Sequence, residues 1–115
     1  MATQIDGILE ALADPTRRAI VELLRDSPRR AGAVAAAFPV AAPTISRHLR
    51  VLRVNGIIEE VRDSTDARVK VYQLNQIPFT ALSAWVDQVQ AFWRDQLGAF
   101  AEYVVEQEQG EKEQK

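Results

Sequence analysis

Residues 43–53, Pro-Thr-Ile-Ser-Arg-His-Leu-Arg-Val-Leu-Arg, constrain this chain more than any other stretch. Wound as a helix, Ile45, Leu49 and Leu52 fall at i, i+4 and i+7 and make one apolar stripe. The opposite side carries Thr44, Ser46, Arg47, Arg50 and Arg53, all hydrogen-bond donors with no carboxylate among them. Pro43 has the fixed φ of a first helical position, so the spacing predicts a helix from Pro43 to Val54. A short helix with one apolar and one donor face, entered through a turn, suits the width and chemistry of a DNA major groove. The same pattern also describes an ordinary solvated charged face, so the flanking sequence has to decide.

On the N-terminal side, Ile5, Ile8, Leu9 and Leu12 recur at helical spacing and predict an amphipathic helix over 3–12. Asp14 is a good N-cap with Pro15 behind it. Ala19, Ile20, Leu23 and Leu24 then form the stripe of a second helix, which Asp26-Ser27-Pro28 stops near Arg25. The alanine-rich run Ala31–Phe38 predicts a third helix, closed by Pro39. Val40-Ala41-Ala42 is the turn into the Pro43 helix, so residues 31–54 read as a helix-turn-helix ended by Asn55-Gly56.

The period then changes. Ile57, Ile58 and Val61, and later Val69, Val71 and Tyr72, flank Asp63-Ser64-Thr65-Asp66-Ala67, which predicts a two-stranded hairpin over 57–74. Alternation gives it an apolar Val69/Val71 face and a basic Arg68/Lys70 face. Pro78 restarts helix, and Phe79, Leu82, Val86, Val89, Trp93, Leu97, Phe100 and Val104 follow at steps of three or four, widened by Trp85, Phe92 and Tyr103. At about 1.5 Å per residue this seam runs roughly 40 Å, longer than a small domain needs. Residues 79–106 therefore read as half core and half dimer interface, working with 3–12. The candidate interface residues are Ile5, Ile8, Leu9, Leu82, Val86, Val89, Trp93, Leu97 and Phe100. Residues 1–106 read as one domain, mainly α with a β-hairpin wing. The stretch 107–115, with no apolar side chain, predicts a disordered tail.

Charge is distributed unevenly along the 115 residues. The net charge is −2, yet residues 16–70 hold eleven basic against six acidic side chains, while both ends are acidic. A basic middle on acidic flanks describes a charged working face on an acidic support. The chain has no cysteine, which excludes disulfides and thiolate metal sites. It has no apolar run of membrane-spanning length and no leader-like start, so a cytoplasmic protein is expected.

Helix, helix, helix-turn-helix and hairpin is the winged helix-turn-helix plan. The run Leu12-Ala-Asp-Pro-Thr-Arg-Arg-Ala-Ile-Val, the stretch His48-Leu-Arg-Val-Leu-Arg and the Gly56-Ile-Ile before the wing resemble the ArsR/SmtB transcriptional regulators from about Leu12 to Leu74. The Trp85, Phe92-Trp93 and Leu97 pattern is similar to a metal-independent branch of that family. The resemblance implies a dimeric, usually repressing DNA-binding protein with its terminal helices at the dimer interface. Two positions depart from the family pattern. Ala41 and Ala42 stand where a serine and a second polar residue usually precede the recognition-helix proline, which removes an N-cap oxygen at about 1 kcal/mol. Asp63 and Asp66 stand at the wing tip where glycine and basic residues are usual, and phosphate would repel them.

Base reading accordingly falls to Thr44, Ser46, Arg47 and His48 with Arg50, phosphate contact to Arg53, and any wing contact to Arg62 and Arg68. Arg17 is a phosphate candidate or an ion-pair member, Arg18 more simply the latter, and Arg29 and Arg30 are phosphate candidates in a loop. His48 reads equally as a DNA contact and as a half-buried structural residue. With no Cys and one His, no transition-metal site or cofactor is expected. The last-helix aromatics are core before they are a ligand cavity. Ser46 and His48, at i and i+2, point to different sides of a helix and cannot form a nucleophile–base pair, so no enzyme activity is expected. Two rivals keep the same fold: a protein-interaction module without specific DNA binding, and a repressor responsive to a small molecule.

Overall fold

Most helix ends form where a nearby group can take over the free amides or carbonyls of the terminal turn. The computed structural model describes residues 3–113, with side chains to 110. Residues 1 and 2 of the expected domain and 114 and 115 of the expected tail lie outside that range. Thr3 and Asp6 cap α1 (Gln4–Leu12) reciprocally: Thr3 Oγ1 accepts from the Asp6 amide at 3.3 Å, and Asp6 Oδ2 accepts from the Thr3 amide at 2.7 Å. Asp14 Oδ1 accepts from the amides of Thr16 and Arg17, at 2.8 and 3.1 Å, to open α2 (Pro15–Leu24). Those amides hold the Asp14 carboxyl below its usual range, the Arg17 amide most strongly, against the opposing pull of desolvation.

After β1 (Arg29–Arg30) come α3 (Ala31–Ala36) and α4 (Ala42–Val54). Gly56, at φ +73°, closes α4 in a left-handed turn. Its amide reaches the Arg53 carbonyl at 3.0 Å, and the Ile57 amide reaches that of Leu52 at 2.9 Å. Strands β2 (Ile58–Arg62) and β3 (Lys70–Leu74) pair antiparallel with Val61 opposite Val71, and β1 pairs along the other edge of β3, giving the order β1-β3-β2. The core gathers Ala11, Ile20, Leu24, Val34, the α4 stripe Ile45, Leu49 and Leu52, and Ile57, Ile58 and Tyr72.

Several expectations need correction. Arg29 and Arg30 are a strand, because the outer edge of β3 offers unpaired backbone groups that two extended residues can satisfy. The wing face that joins the core bears Tyr72 and Leu74, one residue out of step with the expected Val69/Val71 face. Tyr72 buries the larger side chain, and a one-residue slip exchanges the faces of a strand. The third helix stops at Ala36, and α4 begins one residue early, with Ala42 ahead of Pro43 and no side-chain cap at Ala41. The last helix, α5 (Gln76–Glu113), starts where Asn75 Oδ1 accepts from the Ile77 amide at 3.2 Å. It continues through residues 107–113, which were expected to be disordered. The Glu, Gln and Lys there are good helix formers and prolong a helix already nucleated. By its own internal packing the chain forms two compact units, divided at Leu82/Ser83. The first unit holds everything from α1 to the first turns of α5; the second is the rest of that helix. No helix of the described residues is long and apolar enough to cross a membrane.

Candidate nucleic-acid interface

With Ile45, Leu49 and Leu52 turned into the core, α4 exposes Ser46, Arg47, Arg50 and Arg53, while Thr44 and His48 are half-buried on its flank. Arg47 Nη2 donates to Thr44 Oγ1 at 3.4 Å, and Arg50 makes no ion pair among the described residues. Val54 continues the line of Arg47 and Arg50 at 74% exposure, an apolar contact point at the end of a donor face. The bare N-terminus of α4 keeps the positive end of the helix dipole uncompensated.

Of the remaining expected cations, exposed Arg29 makes no ion pair among the described residues, and the others are engaged. Arg53 Nη1 donates to Glu60 Oε2 at 2.6 Å, and Arg62 stands 3.9 Å from the same carboxylate. Arg68 is held by Asp66, through Nε at 3.1 Å, and Arg30 Nη2 lies 2.9 Å from Asp63. The two wing-tip acids that looked repulsive to phosphate are thus neutralised by arginines of the wing and its neighbouring strand. Arg68 lowers the Asp66 carboxyl, and the Thr65 amide and hydroxyl, with Arg30, lower Asp63 to about 2 against desolvation. Sequence reasoning passed over Lys70, which lies directly opposite Arg62 across the β2–β3 ladder. Two like charges so placed repel unless an anion joins them. The Arg68/Lys70 alternation was the available signal, but without the register it could not show which residue Lys70 faces.

Arg17 does not face outward as a phosphate contact. Its Nε donates to the Ala11 carbonyl at 2.6 Å, Nη2 to Glu10 at 3.2 Å, and Nη1 lies 3.3 Å from His48 Nδ1. Arg18 Nη1 donates to the carbonyls of Leu12 and Ala13, at 2.8 and 3.1 Å. The two arginines occupy the orphan carbonyls at the end of α1, while Asp14 occupies the orphan amides at the start of α2. The Asp14-Pro15-Thr16-Arg17-Arg18 motif is a joint between helices.

Of the expected interface residues, Ile8 is 1% exposed and belongs to the protomer's own interior, since α1 turns Ile8 and Ala11 inward and leaves Leu9 outside. Ile5 and Leu82 are half-buried. Val86, Val89, Trp93, Leu97 and Phe100 are exposed, the last three by 60% or more. Among the described residues no three His, Asp or Glu side chains gather as a metal would require.

A three-helix core, a donor-faced second helix of the helix-turn-helix pair and a three-stranded wing define the class of winged helix-turn-helix proteins. The helix-turn-helix domain family matches residues 12–61. The HTH-type transcriptional regulator Rv2034 of Mycobacterium tuberculosis is 37% identical over 99 residues, 86% of this chain and 87% of its own. The transcriptional repressor SdpR of Bacillus subtilis is 36% identical over 58 residues, half of this chain and 64% of its own. Among solved structures, an ArsR family transcriptional regulator matches with a TM-score of 0.73 at 35% identity, over 80% of this chain and 98% of that one. The homodimeric winged helix-turn-helix DNA-binding domain of a possible ArsR-family regulator from Mycobacterium bovis matches at 0.59 and 28%, over 76% and 79%. The chain belongs to the ArsR family of winged helix-turn-helix transcriptional regulators.

Proposed function

We propose that this regulator is a cytoplasmic homodimer that represses transcription by occupying a palindromic operator. The observation that carries this reading is the exposed face of α4, where Ser46, Arg47 and Arg50 stand clear of the core with no carboxylate between them. In the major groove, Thr44, Ser46 and Arg47 meet base edges and Arg50 meets phosphate. Arg53, Arg62 and Arg68 exchange their carboxylates for phosphate oxygens as the wing settles on the backbone. The dimer forms through Leu9 of α1 and the exposed apolar side of α5, and the homodimeric M. bovis domain supports that mode of assembly. The name of the B. subtilis relative supports repression.

Regulation is independent of transition metals in this proposal. The chain has no cysteine, and its one histidine already bonds Arg17 through one nitrogen. A gel shift with a duplex from the upstream region of its own gene, at two salt concentrations, tests the reading. A retarded band that weakens steeply with salt is expected, because each neutralised phosphate releases condensed counterion. A chain that shifts no duplex even at low salt would instead be a protein-interaction module of the same fold.

A further inference from the structure

We propose that Arg17 fixes the tautomer of His48, so that the recognition helix presents His48 Nε2–H to DNA as a hydrogen-bond donor. The inference rests on the DNA-binding reading above and adds to it a positioning residue and a donor. A guanidinium is always protonated and has no acceptor, so across the 3.3 Å contact Arg17 Nη1 donates and His48 Nδ1 accepts. Only an imidazole with its lone pair on Nδ1 can accept, and a neutral ring then carries its single proton on Nε2.

The guanidinium is not free to adapt to the other tautomer. Its Nε and Nη2 are held by the Ala11 and Glu10 carbonyls, and the Arg17 amide is held by Asp14. The opposite edge of the ring has no such engagement. Nε2 makes no hydrogen bond among the described residues, and no buried side-chain nitrogen there is left without one, so Nε2 opens to solvent. His48 sits one turn beyond Thr44 on the helix that meets DNA. An outward N–H at that place matches an acceptor on the duplex, either a phosphate oxygen or the N7 or O6 of a purine.

His48 is the only histidine, so an imidazole ¹⁵N spectrum of the full chain reports one ring. At a pH where the ring is neutral it should show Nδ1 bare and Nε2 protonated, and Arg17→Met should shift the ring toward a mixture of tautomers. A purely structural contact would predict no further effect. The second arm compares His48→Gln, whose amide nitrogen falls near Nε2, with His48→Asn, whose amide nitrogen falls near Nδ1. On a duplex selected by the wild-type chain, Gln should bind within a few-fold of wild type and Asn about tenfold more weakly, the loss of one hydrogen bond. A loss confined to one base pair identifies a purine acceptor, and a uniform loss identifies phosphate. A proton on Nδ1 in the wild-type chain would overturn the proposal, as would equal binding by the Asn and Gln variants on a duplex that the wild type binds. If the wild-type chain binds no duplex, the DNA reading and the donor role fall together. The two His48 variants keep the test decisive should Arg17→Met not fold.

Discussion

The guanidinium of Arg30 lies 2.9 Å from the carboxylate of Asp63, tying the short strand beside α3 to the tip of the wing. Asp63 Oδ1 also accepts from the amide and hydroxyl of Thr65, at 2.8 and 2.7 Å. An acid that the sequence places in an exposed turn is therefore the knot of that turn. The Asp63 carboxyl, at about 2 in the fold against an ordinary 3.8, contributes stability in its ionised form. A depressed pKa makes that contribution complete above about pH 4 and loses it as the pH falls toward 2. Urea midpoints of the wild type and Asp63→Asn should differ at pH 6 and converge between pH 4 and 2. A difference that does not change with pH would contradict this origin.

Gly56→Ala tests the end of the recognition helix. Nothing lies within 4 Å of the added Cβ, so the cost comes from the backbone at φ +73° alone. The variant should be less stable by about 1 kcal/mol in equilibrium denaturation, without a change in the dependence on denaturant. An unchanged midpoint would mean that the turn relaxes away from the left-handed region.

How much of this was legible in the sequence follows from the range of each interaction. The α4 stripe, the Asp14 cap and the Asn55-Gly56 stop are local, set by residues within seven positions of one another, and the structure bears them out. The strand at Arg29–Arg30 pairs with residues 43 and 41 positions away and the Arg30–Asp63 pair joins residues 33 apart, so only the fold brings them together. The Arg53–Glu60 pair spans just 7 positions but crosses from the end of α4 into β2, a change of element whose geometry the sequence does not fix. Arg17 was ambiguous for a related reason. A cation in a first helical turn can face solvent or reach back to the preceding helix, and the sequence does not fix the angle between α1 and α2.

Arg50 and Arg53 should behave differently on DNA. Arg50 has no ion pair among the described residues, so under the proposed mode it should make a full phosphate contact, and Arg50→Ala should flatten the log–log salt slope by about 1. Glu60→Gln should tighten binding, since it frees Arg53 from its 2.6 Å ion pair and removes an acid beside the proposed interface. Fluorescence anisotropy over a salt series measures both. An unchanged slope for Arg50→Ala would remove that side chain from the phosphate contacts.

Leu97 is 60% exposed, so replacing it removes little from the protomer's own core. Leu97→Glu should give a folded monomer in sedimentation velocity at micromolar concentration, with helical content near wild type and specific binding lost. Ile8→Glu should instead unfold the chain, because Ile8 is 1% exposed within the protomer. A dimeric Leu97→Glu variant would move the interface off this stretch of α5.

Selection of bound sequences from a random duplex library tests the central claim most directly. A two-fold dimer presents two α4 helices to one face of the duplex, so the enriched sites should be imperfect inverted repeats. Their half-site centres should lie about 10 to 10.5 base pairs apart, or a multiple of that. Enrichment of a single unrepeated motif, or of no sequence at all, would contradict a dimer reading DNA through this helix.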